Sequence, residues 1–262
     1  MIEQLWPTIT AVLVLLAVAV TVLTLAGVRH RWAAGVAVFR GALQLAAISF
    51  ILAGVITDPR WVAVALAVMF SVAAVTATRR IGWTLTRFGI VAGAMAAGVA
   101  ITLAVIFLTG ALEPSARYAL AIGGIVIGNA MTAVTLAGRR TAQSTAGRFP
   151  EVEGWLALGA TPRQATLDIA REAVREALIP STDQTKTTGL VTLPGAFVGA
   201  IFGGVSPLEA GRFQIVVLAG IMAAGAVGAT IVAFTLAPTL MLPADTVRRM
   251  ANRNQAHSAT RS

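Results

Sequence analysis

The sequence predicts an all-α polytopic membrane protein of about seven transmembrane helices, with one cytoplasmic helix–elbow–helix segment. Three observations carry that reading. Of the 262 residues, 57% are hydrophobic and 12% charged, about half the charged share of an ordinary soluble domain. The apolar residues fall in runs of bilayer-crossing length, separated by short arginine-bearing segments. A single long polar interval, Arg139 to Lys186, interrupts them.

The first run, Thr8–Gly27, follows Met1-Ile2-Glu3, which is not a basic leader. It is longer than the apolar core of a secretory signal, so it reads as a retained first span. Val36–Ile56, Trp61–Ala77, Phe88–Thr109 and Tyr118–Gly138 follow. After the polar interval come Thr187–Gly204 and Phe213–Leu240. If the N-terminus is outside, 17 of the 20 Lys and Arg fall on the inner side, and only Arg60, Arg117 and Arg212 fall outside. An indifferent orientation would divide them evenly, so the positive-inside rule sets the topology. The expectation is a multi-pass protein of the plasma membrane (a cell inner membrane in a bacterium), with a cytoplasmic C-terminus. The net charge of +9 is accounted for by topology, and no nucleic-acid partner is expected. The outer loops, Thr57–Arg60, Gly110–Arg117 and Val205–Arg212, are too short to form a capture domain. Residues 1–262 therefore form one transmembrane domain, with 139–186 as a cytoplasmic coupling segment and 244–262 as a polar tail.

The polar interval has its own internal order. Phe149-Pro150 opens a first helix, with proline where its missing N–H costs nothing and Glu151 and Glu153 at the positive helix end. Trp155, Leu156 and Leu158 give that helix an apolar side. Gly159 ends it, being free to take a left-handed conformation. Ala160 leads to Thr161-Pro162-Arg163-Gln164, a capping box for a second helix. That helix carries Ile169, Ala173, Val174, Ala177 and Leu178 on one face, with Asp168, Arg171, Glu172, Arg175 and Glu176 directed away. Pro180 is expected to close it. Glu151, Glu153, Trp155, Gly159, Ala160, Thr161 and Pro162 form an elbow that another protein can grip from the water side.

Within the spans, Gly89/Gly93, Gly124/Gly128, Gly195/Gly199 and Gly199/Gly203 have the spacing that lets helices approach closely, either within one bundle or across a dimer. Arg40 and Gln44 stand one turn apart in the second span. Asn129, Thr132 and Thr135 recur at three-residue intervals on the fifth. In the sixth, Thr187, Thr188 and Thr192 precede Pro194-Gly195, where a lost backbone donor and a flexible residue predict a kink or break. Broken helices at membrane depth are tolerated only in a protein interior or a wet cavity. Arg40, Gln44, Asn129, Thr132, Thr188, Thr192, Pro194 and Gly195 are therefore the candidates for a transport pathway.

Several activities are excluded by what the chain lacks. It has no cysteine and two histidines, His30 and His257. Disulfides, thiolate metal sites and HExxH chemistry are ruled out. Neither GxSxG nor a phosphate-binding GxxxxGK[ST] occurs, and Lys186 is the only lysine. No enzymatic activity is expected. No Asp or Glu falls within any span as drawn, which argues against an ion-coupled secondary carrier.

Ile127-Gly128-Asn129-Ala130-Met131, Glu151-Val152-Glu153, Leu158-Gly159-Ala160-Thr161-Pro162, Gly189-Leu190-Val191-Thr192-Leu193-Pro194-Gly195, Gly203-Gly204-Val205-Ser206-Pro207 and Phe213-Gln214-Ile215 resemble, in that order, the FetB-type permeases. That family includes bacterial iron-export permeases and a plant aluminium-tolerance permease associated with UDP-glucose transport. The elbow also partly resembles the EAA loop of ABC importers. The resemblance implies the membrane subunit of an ABC transporter that exports iron or another metal. It implies a homodimer in the lipid bilayer, driven by a separate ATPase subunit that holds ATP and Mg. This chain would bind no cofactor, and the metal it carries is not fixed by its residues. A nucleotide-sugar ABC permease and a non-transporting scaffold that recruits a cytosolic partner are the alternatives.

Overall fold

The computed structural model describes residues 2–28, 32–55 and 58–240. The Arg29–Arg31 cluster with His30, the loop residue Thr57, and the expected tail 244–262 with His257 lie outside the described residues. Ten helices are present among the described residues, and the only β pairing there is an isolated bridge between Thr188 and Thr192. The fold is all-helical, as the apolar periodicity requires. The chain divides into two units, one reaching to Thr57 and the other starting at Asp58.

The first unit holds α1 (Ile2–Leu25) and α2 (Ala33–Val55), which touch each other. Trp6–Leu25 is long and apolar enough to cross a membrane. Over its described part, α2 is apolar from Ala33 to Ala46.

The second unit holds α3 (Pro59–Ile81), α4 (Leu85–Leu108), α5 (Ala116–Gly147), α6 (Phe149–Ala157), α7 (Pro162–Ala165), α8 (Leu167–Thr187), α9 (Gly195–Phe202) and α10 (Pro207–Thr239). Of these α3, α4, α5 and α10 have crossing length and hydropathy. Each opens on a side chain that satisfies an otherwise unpaired amide: Asp58 accepts from the Arg60 N–H, Thr84 from Arg87, Ser115 from Tyr118 and Ser206 from Glu209. Pro59 and Pro207 follow their caps at first-turn positions.

Contacts at small residues fix the directions. Along α10, Gly220 meets Thr102 and Ile106, Ala224 meets Gly98, and Gly228 meets Ala94, so α4 and α10 are antiparallel. Gly220 also meets Val126, Gly225 meets Ala133, and Gly228 meets Val134, so α5 and α10 are parallel. Leu66 against Gly123 and Ile81 against Gly138 make α3 parallel to α5. The core lies among these four helices, with Val91, Met95, Ile122, Val126, Val134 and Val232 fully buried.

The expected sixth crossing, Thr187–Gly204, is not one helix. α8 does not end at Pro180 but runs on to Thr187, since a helix inside a bundle tolerates one missing backbone donor. The break falls before Pro194-Gly195 and takes seven residues, Thr188 to Pro194, after which α9 is only eight residues long. α8 lies antiparallel along α10: Ala170 and Ala173 cluster with Ala233 and Ala237, Ala177 with Ala229, Leu178 reaches Gly225, and Thr182 reaches Met222. Because α5 and α10 run the same way, the chain between them crosses back once, and α8 with α9 makes that return.

Of the GxxxG glycines, Gly124 approaches Met69, where a Cβ would stand 3.1 Å from its terminal methyl, whereas a Cβ on Gly89, Gly93, Gly128, Gly195 or Gly199 would meet nothing within 4 Å in the single chain. The tight approach is instead at Gly98, where a Cβ would stand 2.6 Å from the Ala224 carbonyl oxygen. Spacing identifies small residues; which helix face the rest of the bundle covers decides which of them are used.

Candidate functional site

The elbow forms as its sequence dictates. α6 carries Pro150 in its first turn and ends at Leu158, and Gly159 has φ +89°, the left-handed value at which a side chain is strained. The Thr161 amide donates to the Gln164 Oε1 at 2.8 Å, while the Gln164 amide donates to the Thr161 Oγ1 at 3.4 Å, completing the capping box. The second helix is split at Thr166, a four-residue α7 leading into α8. Val152, fully buried, packs with Ala165 and Ile169 and ties α6 to the start of α8.

The apolar side expected for α6 is there, but it faces outward: Trp155 is 52% and Leu158 82% exposed. Only Val152 turns inward. A shallow cleft of about 460 Å³ lies behind this tip, reached by Glu151, Trp155, Gly159, Ala160 and Gln164. At its rim the Arg148 guanidinium grips Glu151 by two hydrogen bonds of 2.7 Å. That pairing holds the Glu151 carboxyl below the usual carboxylate range and raises Arg148 in return. Glu153 is exposed on the same helix. The elbow thus offers two large apolar side chains, a polar rim and a rigid turn.

At the other end of α8 stand Thr187, Thr188, Thr192, Pro194 and Gly195. The Thr188 hydroxyl donates to the Gln184 carbonyl at 2.7 Å and the Thr187 hydroxyl to the Asp183 carbonyl at 2.9 Å. Gly189, with φ +87°, lets the chain fold back so that its amide donates to the Thr192 carbonyl at 2.8 Å. Thr192 and Gly195 are exposed, and Pro194 opens α9. On α5, the Asn129 amide donates to the Ile125 carbonyl at 2.9 Å and the exposed Thr132 hydroxyl to Gly128 at 3.1 Å. Both bond within their own helix, and so does Thr135. Arg40 and Gln44 are exposed on α2, in the first unit.

α8 carries Asp183, Gln184 and Lys186 past the level of Met222, with the Lys186 Nζ 3.8 Å from the Asp183 carboxylate. The premise that no carboxylate lies level with a span therefore fails at Asp183. The signal was present in the sequence: the exposed spacing of Asp168, Arg171 and Arg175 resumes beyond Pro180 at Asp183 and Lys186. Among the described residues, no three His, Asp or Glu side chains cluster as a metal site.

The model for the family described as "Uncharacterised protein family (UPF0014)" matches residues 6–241. The chain is 38% identical over 193 residues to the "UPF0014 membrane protein STAR2" of rice, covering 73% of this chain and 68% of that one. It is 40% identical over 184 residues to the "Protein ALUMINUM SENSITIVE 3" of Arabidopsis thaliana, covering 69% and 67%. It is also 42% identical over 124 residues to the "Probable iron export permease protein FetB" of Escherichia coli, covering 47% and 48%. No solved structure matches the chain.

Proposed function

Starting from the fact that this chain belongs to the UPF0014 family, we propose that it is the membrane subunit of an ATP-driven permease that exports a metal cation, iron foremost. The observation that carries this reading is the elbow: Trp155 and Leu158 stand exposed on a turn braced by Gly159, Thr161 and Val152. Such a tip fits a groove on a partner by the helix-in-groove mode. A relative named as a probable iron export permease supports the cargo and the direction. The ATPase subunit binds ATP and Mg; this chain binds the cargo.

The mechanism follows from the geometry of α8. It runs unbroken for 21 residues from the elbow to Thr187, a rod of roughly 30 Å at 1.5 Å per residue. When ATP closes the partner, the push on Trp155 and Leu158 passes through Val152 and Ile169 into this rod. The rod ends at the Thr188–Pro194 break, where the backbone already turns and two packings can alternate. Two copies of the chain flank the passage and rock between inward- and outward-open states.

Reconstitution with the cognate ABC ATPase in lipid vesicles tests the reading. ATP hydrolysis is expected to rise with ferrous iron, and iron flux to survive an uncoupler. Stimulation by UDP-glucose and not by iron would move the assignment to a nucleotide-sugar permease. Flux abolished by an uncoupler while ATP stays high would replace it with a secondary carrier, and a complex that transports none of the panel would favour the scaffold.

A further inference from the structure

The charged stripe of α8 lies where the bilayer should be. α5 and α10 are parallel, so the chain between them crosses once, and α8 is the long helix that packs along both. α4, bounded by caps at Thr84 and Thr109, places Gly98 near its middle and against Ala224. Ala224 therefore marks the bilayer centre. Leu178 lies level with Gly225 and Thr182 with Met222, so Asp183, Gln184 and Lys186 sit beyond that centre, within the membrane. All three are exposed, Asp183 and Lys186 by 63% and 71% of their side chains. Arg171, Arg175 and Ile179 continue the face of Asp183 and Lys186 back to the elbow, while Gln184 falls on the side of Ala173 and Ala177. A stripe of charge that crosses mid-membrane does not face acyl chains; it faces water.

Resting on the metal-permease reading, we propose that this face of α8 is one wall of a water-filled passage and that Asp183 is its cargo-binding carboxylate. A small metal cation arriving along the stripe takes the position of the Lys186 ammonium against Asp183. The hydroxyl oxygen of Thr187 stands one turn away. The cation also meets the negative end of α8, as ions do at interrupted helices of transporters. Asn129, on the α5 side that pairs with α8 through Arg140 and Glu176, extends the same wall.

The chain has no cysteine, so single cysteines report on single positions. Ile179→Cys on the proposed face, Thr187→Cys and, as reference, Ile215→Cys on the apolar outer side of α10 are each reconstituted with the ATPase. A membrane-impermeant methanethiosulfonate is expected to modify the first two roughly tenfold faster than the third, because only a wet wall reaches the reagent. Ferrous iron is expected to slow modification of Thr187→Cys, and Asp183→Asn to remove that protection while Asp183→Glu keeps it. Equal, slow labelling at all three positions overturns the passage. Fast labelling that iron does not slow, or slowing that Asp183→Asn leaves intact, overturns the assignment of Asp183. Both readouts are independent of ATP-driven flux, so a wet, iron-protected α8 in a protein that moves no iron contradicts the permease reading and not this one.

Discussion

Where α4 meets α10, a Cβ at Gly98 would stand 2.6 Å from a backbone oxygen, and Thr102 and Ile106 close over Gly220. Where α8 meets α10, alanines make the seam, and the far side of α8 carries Asp183, Lys186 and their charged neighbours in the open. The first contact resembles a crystal of small side chains, with no room to shift. The second holds one face and leaves the other to water. A charged side chain at the centre of a bilayer costs about 3 kcal/mol on insertion scales, which is why the proposal above turns the polar side of α8 away from lipid. Within one bundle, α4, α5 and α10 form the frame, and α8 with α9 forms the element that works against it.

The frame should fail first. Gly98→Val drives a side chain into the Ala224 backbone, which cannot step aside, and overpacking of this kind costs about 3 kcal/mol. Thermal unfolding in detergent is expected to show a large loss of stability, or no folded protein, whereas Gly199→Ala, with nothing within 4 Å, leaves the midpoint unchanged. Equal effects at the two glycines would erase the distinction between frame and working element.

Gly159→Val comes next. Its Cβ meets nothing, so the penalty is conformational, about 1–2 kcal/mol for a side chain at positive φ and confined to the elbow. The protein is expected to insert and fold normally while ATP hydrolysis no longer drives transport. Normal coupled transport by this variant would remove the elbow from the mechanism. Thr161→Ala deletes the capping box and is expected to cost about 1 kcal/mol, read as faster amide exchange in α7 with the frame unaffected.

The smallest effect belongs to Glu151. Its carboxyl is held below the usual value by Arg148, so the pair stabilises the elbow above the unfolded-state carboxylate range, and that contribution is lost as pH falls through the lowered folded value. The pair is about half exposed and screened by salt. Elbow exchange rates are expected to rise only on acidification below the ordinary carboxylate range, and not between pH 6 and 8; Glu151→Gln abolishes even that dependence.

Much of this contrast could be read from the chain. The capping box at Thr161–Gln164, the left-handed turn at Gly159 and the apolar runs that became α1, α3, α4, α5 and α10 depend on neighbours in sequence, and these formed as expected. What sequence missed depends on packing. The tight seam was not legible from GxxxG spacing, because only the fold says that Gly98 and not Gly93 faces α10. Pro180 was taken as a stop, because a proline ends a helix in water and merely loosens one inside a bundle. That misreading hid the continuity of one helix, Leu167–Thr187, which carries the charged spacing of Asp168, Arg171 and Arg175 on to Asp183 and Lys186.

The most direct measurement is cross-linking from the elbow. Leu158→Cys in the cysteine-free chain, carrying a photoactivatable label, is exposed to the cognate ATPase in native membranes, with Phe202→Cys at the opposite end of the bundle as control. The account predicts an adduct with the ATPase from Leu158 that changes in yield when ATP is trapped on the partner, and none from Phe202. An ATPase that co-purifies with the chain yet never cross-links from Leu158 would contradict it.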